Sequence, residues 1–121
     1  MAIRKILAVD DSPTDLANIK TIVTDAGFTV VTATNGREAV ERAKQEKPDL
    51  IFLDIIMPDM DGYAACRLLN NENDTKGIPV VFVTSKNQKA DRLWAQMQGG
   101  KGFITKPYNA DAIIDQLKAL V

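Results

Sequence analysis

The sequence predicts a doubly wound α/β domain, a parallel sheet held between two layers of helices. Three features predict it: short, continuously apolar runs recur along the chain, segments with helical spacing separate them, and the connections are short. Runs without polar alternation suit strands buried on both faces. Strict alternation of strand and helix implies parallel strands joined by right-handed crossovers.

The first strand is Ile6-Leu7-Ala8-Val9. Ser12-Pro13 then starts a helix, because serine can satisfy orphan amides and proline suits the first turn. Leu16, Ile19, Ile22, Val23 and Ala26 fall three and four residues apart and share one face, and Gly27 ends the helix. Thr29-Val30-Val31-Thr32 is β-branched but more alternating, as an edge strand is. A second helix opens at Asn35, with Glu38 at capping-box spacing, carries Ala39, Val40 and Ala43, and stops at Lys47-Pro48. Leu50-Ile51-Phe52-Leu53 is the third strand and Val80-Val81-Phe82-Val83 the fourth, with a helix from about Tyr63 to Asn71 between them. The fourth helix spans Gln88 to Gln98 and ends at Gly99-Gly100. A weaker strand, Gly102-Phe103-Ile104, leads past Pro107 into a last helix that buries Ile113, Ile114, Leu117 and Leu120 and runs to Val121.

At 121 residues the chain is sized for a single domain over residues 1–121, and 45% hydrophobic with 26% charged residues is an ordinary globular composition. A formal charge of -1 supplies no field for nucleic acid or anionic membrane. One cysteine, Cys66, rules out an internal disulfide, and the lack of histidine removes the usual zinc and general-base chemistry. Any metal is expected to be hard and oxygen-ligated. Met1 to Lys5 contain no signal-peptide core and no apolar run spans a bilayer, so a cytoplasmic protein without membrane insertion is expected. No appended output segment is expected after the fifth helix, so the output is expected from the domain's own surface.

In open parallel sheets, ligands bind beyond the carboxyl ends of the strands. Asp10 and Asp11 follow the first strand, Asp54 the third, Thr84 and Ser85 the fourth and Lys106 the fifth. Each has a plainer reading: the acidic pair and Thr84-Ser85 as helix caps, the segment after Asp54 as a turn, Lys106 as a surface lysine. Together, three converging carboxylates repel and require a cation. Magnesium (Mg2+) fits, since it binds through one or two carboxylates and keeps positions for water and phosphate oxygens. A carboxylate can itself accept a phosphoryl group. Asp54 is then the nucleophile, Asp10 and Asp11 hold the ion, and Lys106 and Thr84 each bind a phosphoryl oxygen.

The set Asp10-Asp11, Asp54, Thr84 and Lys106-Pro107 resembles the receiver domain of two-component response regulators over the whole chain. Leu53 to Gly62 is similar to that family's phosphorylation loop, and Phe103-Ile104-Thr105-Lys106-Pro107 to its closing motif. The resemblance implies a flavodoxin-like sheet of order 2-1-3-4-5 with five helices, and a cis bond at Lys106-Pro107. It implies phosphorylation of Asp54 by a histidine kinase, with Mg2+ bound by Asp10, Asp11, Asp54 and the backbone carbonyl of Ile56. It makes Thr84 and Phe103 the switch pair, and the face of the fourth helix, fifth strand and fifth helix the docking place for an effector. A monomer is expected, acting as a binding switch and not as an enzyme, with service as a phosphate sink for the kinase as the alternative output. Haloacid dehalogenase-type phosphatases share the Asp, Thr, Lys and magnesium, but they want a second acid where Ile56 stands. Neither Ile56 nor Lys86 can position an attacking water, so slow intrinsic dephosphorylation is expected. Trp94 is read as part-buried packing or an anchor on the output face, and Cys66 as buried filler. The stretch Asp91 to Gly99 is similar to single-domain regulators of type IV pilus twitching motility.

Overall fold

The computed structural model describes residues 3–86 and 88–120. Ten elements alternate along them: β1 (Lys5–Val9), α1 (Pro13–Asp25), β2 (Thr29–Ala33), α2 (Gly36–Glu46), β3 (Leu50–Leu53), α3 (Gly62–Asn71), β4 (Val80–Thr84), α4 (Lys89–Met97), β5 (Gly102–Thr105) and α5 (Ala110–Ala119). The strands form one parallel sheet in the order β2-β1-β3-β4-β5. The two weakest apolar runs, β2 and β5, are the edges, which is why their sequences carry the least continuous burial.

Successive strand side chains point to opposite faces, so each apolar run feeds two cores. Leu7, Val9, Ile51, Leu53, Val80 and Phe82 pack beneath α2, α3 and α4, while Ile6, Ala8, Leu50, Phe52, Val81 and Val83 pack beneath α1 and α5. Phe52 and Phe82 are fully buried, one in each layer. Each such burial contributes roughly 1.5–3 kcal/mol.

The capping residues read from sequence are in use. Ser12 Oγ accepts from the Asp15 amide at 3.3 Å, and Asn35 Oδ1 from the Glu38 amide at 2.8 Å, the forward half of the capping-box spacing. The plainer alternative for Thr84-Ser85, as the cap of the fourth helix, does not hold: Gln88 caps α4 at the predicted start, and Asp91 Oδ2 accepts from its backbone amide at 3.1 Å. Ala26 is also corrected. It is the C-cap of α1 and is exposed, because Gly27, at φ 97°, turns the chain away before another apolar turn can form. The fifth helix closes at Ala119 with Leu120 as its C-cap, short of the predicted run, and Val121 lies outside the described residues.

Register aligns the carboxyl ends. Val9 is level with Ala33 and Leu53, Leu53 with Phe82, and Thr84 with Thr105. The residues that follow these strand ends therefore emerge along one edge of the sheet. Among the described residues no helix is long and apolar enough to cross a membrane.

Candidate functional site

Asp10 and Asp54 leave adjacent strand ends, and the backbone extends the ladder past them: the Asp10 amide donates to Ala33 O at 3.2 Å and the Asp54 amide to Val9 O at 3.1 Å. Both residues are buried at 5% exposure, whereas Asp11 is open to solvent. Carboxylate oxygens of Asp10, Asp11 and Asp54 all lie within 4.8 Å of one another. Each buried carboxylate has one oxygen anchored by the chain, since Ser12 N donates to Asp10 Oδ1 at 2.9 Å and Ile56 N to Asp54 Oδ1 at 3.3 Å.

Lys106 reaches the other oxygens. Its amide donates to Thr84 O at 2.8 Å, which fixes the residue past the end of β5, and its peptide bond to Pro107 is cis, as the resemblance implies. The Nζ donates to Asp10 Oδ2 at 2.7 Å, Asp15 Oδ2 at 2.9 Å and Asp54 Oδ2 at 3.2 Å, so all three ammonium protons are engaged. Burial by itself pushes the Lys106 pKa down. The bonds to Asp10 and Asp15 and the charges of Asp54 and Asp10 outweigh that and hold the ammonium above the ordinary lysine range. For Asp54, burial dominates and lifts its carboxyl above the usual carboxylate range, with Asp10 adding to the rise and Lys106 opposing it.

Sequence reasoning missed Asp15, which lies in the first turn of α1, where an acid is ordinarily read as complementing the helix dipole. Thr84 is fully buried, and its hydroxyl accepts only the Lys86 amide, at a long 3.4 Å, among the described residues. Phe103 is half-buried on the α4 side of the sheet, with the Arg92 guanidinium 4.9 Å from its ring centre. Arg92 also donates to Thr105 Oγ1 at 3.2 Å and is a second residue the sequence reading passed over. The Ile56 side chain is 51% exposed at the mouth of the site, and Lys86 is exposed with its Nζ 4.0 Å from Asp91. Cys66 is buried, its thiol donating to Gln98 O, and burial pushes its pKa up to about 11, so it is packing and not a nucleophile.

The loop after Asp54 is shaped by a close crossing. A Cβ on Gly62 would collide with the backbone of Asp54 and Ile55, so only glycine lets α3 start against the strand end. The donor set is all oxygen, two carboxylates fixed and one open to water, which suits an ion that keeps part of its hydration shell.

A model of the response regulator receiver domain matches residues 6–118. The chain belongs to this receiver domain family. It is 38% identical over 117 residues to the protein PilH of Pseudomonas aeruginosa, covering 97% of each chain. The receiver fold also matches the chemotaxis protein CheY4 of Vibrio cholerae, with a TM-score of 0.92 and 29% identity over 99% of this chain and 100% of that one. A receiver domain of a sensor histidine kinase from Pseudomonas aeruginosa has a TM-score of 0.90 and 25% identity, covering 98% of each chain, and was solved with a magnesium ion coordinated in its active site cleft.

Proposed function

We propose that residues 1–121 form one receiver domain that acts as a phosphorylation-controlled binding switch, with Asp54 as phosphoacceptor. One observation carries the reading: a buried Asp54 carboxylate with Lys106 at 3.2 Å and two further carboxylates within 4.8 Å. A carboxylate so placed is anchored, partly desolvated and next to a cation, which is what an attacking oxygen needs.

The donor is a phosphohistidine of a histidine kinase. An Asp54 oxygen attacks phosphorus, a P–O bond forms, the P–N bond breaks, and the imidazole takes up a proton as it leaves. Lys106 keeps Asp10 and Asp15 and swings its third proton from Asp54 to a phosphoryl oxygen. Thr84 is drawn to another, as its hydroxyl has no strong partner to give up. Asp10, Asp11, Asp54 and the Ile56 carbonyl would hold Mg2+, which supplies positive charge against the phosphoryl oxygens when bound. Movement of Thr84 vacates space for Phe103, and inward rotation of that ring strips it from Arg92. The α4–β5–α5 surface then changes for an effector protein, in a chemotaxis-like circuit of the twitching-motility kind that the stretch Asp91 to Gly99 resembles, in a cytoplasmic monomer that contacts neither nucleic acid nor membrane. With Ile56 and Lys86 at the mouth, no side chain there activates water, so the acyl phosphate persists.

Acetyl phosphate with magnesium chloride should add one phosphoryl group per chain, mapped to Asp54 by mass spectrometry and absent in Asp54→Ala. Sustained hydrolysis of a phosphomonoester, or equal labelling of the variant, would overturn the assignment.

A further inference from the structure

The outward face of α4 takes no part in the phosphotransfer chemistry. Ala95 is the buried residue of this helix, while Leu93, Trp94 and Met97 are 59%, 47% and 65% exposed. These three positions fall on one side of a helix, and exposed Ala90 extends the same stripe towards Lys89. They form a continuous apolar ridge.

The flanks of the ridge differ. Towards β5 the helix presents Arg92, engaged with Phe103 and Thr105. Towards α3, Trp94 meets the Tyr63 ring edge-on at 6.4 Å, and Gln98 accepts from Arg67 through its side chain and from Asn70 through its carbonyl, each at 2.9 Å. The ridge therefore leans to α3 and runs into a groove of about 310 Å³ lined by Arg67, Asn70, Asn71, Met97, Gln98 and Gly99. Its two ends are cationic, Lys89 at one and Arg67 in the groove at the other, while the Asp91 and Asp61 carboxylates lie near Tyr63 on the α3 flank. Among the described residues, Arg67, Lys89 and Arg92 have no carboxylate within 4.0 Å, although the chain as a whole carries a charge of -1.

We propose that this α3–α4 ridge docks an acidic amphipathic helix of a partner protein. Apolar side chains of that helix cover Leu93, Trp94 and Met97, and its flanking carboxylates meet Lys89 at one end and Arg67 in the groove at the other. A second copy of this chain fits worse, because it would set these unpaired cations against themselves. An anionic membrane is also disfavoured: the net charge is negative, and a three-residue ridge beside a groove presents a shaped surface, not a broad apolar face. The inference takes from the proposed function only the use of α4 in output, and moves the apolar anchor to the side of α4 that faces α3.

Trp94 is the sole tryptophan, so its emission reports this surface directly. The probe is a synthetic helical peptide with leucines at i, i+3, i+4 and i+7 and flanking glutamates, titrated into the full chain with and without acetyl phosphate. The expected result is a saturable blue shift of Trp94 that weakens with salt. Leu93→Ala combined with Met97→Ala should lower affinity about tenfold or more. Arg67→Gln with Lys89→Gln should lower it about fivefold and flatten the salt dependence. All four positions are exposed, and labelling of Asp54 should stay normal in these variants, which separates this test from that of phosphotransfer. Equal binding of a lysine-flanked peptide, or indifference to both double variants, would overturn the proposal. So would the same shift with phosphatidylglycerol vesicles, or a sedimenting dimer abolished by Leu93→Ala with Met97→Ala.

Discussion

Lys106 is the residue on which the charge of the site turns. It offsets two carboxylates whose side chains are 7% exposed, and removing one partner of a buried ion pair costs about 3–5 kcal/mol because the other is left uncompensated. Lys106→Met should therefore lose about 3 kcal/mol in urea unfolding without divalent ions, and regain much of it in millimolar magnesium, which supplies the missing positive charge. Asp15→Asn should behave differently. That side chain is 44% exposed, so its pair with Lys106 is worth less than about 1 kcal/mol. The contrast shows what was legible at this scale. Asp10, Asp11, Asp54 and Lys106 stand out because a charged residue directly after an apolar run breaks the local pattern. Asp15 breaks no pattern, since an acid in a first helical turn is ordinary, and only the three-dimensional path of Lys106 reveals it. Arg92 was hidden for the same reason.

At the scale of elements, the strands, the helices and the caps at Ser12 and Asn35 were readable because period and capping chemistry are local, whereas Gln88 was not read as the cap of α4. Asp61 capping α3 and Asn109 capping α5 obey the same chemistry, though the sequence reading did not single them out. Long-range ties were not readable. Asp49 precedes β3, yet its Oδ2 accepts from the Arg4 and Lys5 amides at 2.9 and 3.0 Å, binding the start of β1 to the next strand. Those backbone bonds, from Lys5 first and then Arg4, hold its carboxyl below the usual carboxylate range. A depressed folded pKa contributes stability that is present above the unfolded pKa and lost as pH falls through the folded one. Asp49→Asn should thus cost on the order of 1 kcal/mol at pH 7, and the deficit should shrink in urea titrations as the pH falls below the ordinary carboxylate range. The turn into α3 makes a steric prediction. Gly62→Ala drives a methyl into the backbone of Asp54 and Ile55, so it should destabilise by roughly 1–3 kcal/mol and also slow labelling of Asp54 by acetyl phosphate.

For the whole molecule, fold and site make opposite demands on stability. The sheet stacks apolar layers on both faces, and the same register delivers three carboxylates to one edge. Asp54 is where the conflict is measurable. Its folded pKa is raised by burial first and by Asp10 after it, against the pull of Lys106. A raised folded pKa contributes stability that is fully present below the unfolded pKa and is lost as pH rises through the folded value. At neutral pH the ionised Asp54 is therefore a burden that the rest of the fold carries. Two outcomes should follow in thermal unfolding at pH 7. Asp54→Asn, which keeps the shape and removes the charge, should raise the Tm by about 4 °C, the equivalent of roughly 1 kcal/mol for a domain of this size. Magnesium should raise the wild-type Tm as well, since a ligand at a hundredfold excess over its Kd adds about 2.7 kcal/mol, and a chelator should reverse the gain. The two effects share one cause, so they should not add: in Asp54→Asn the magnesium increment should shrink to a small fraction of the wild-type value. Full additivity would mean that the burden lies outside the carboxylate cluster, and would detach the raised pKa of Asp54 from the metal chemistry proposed for it.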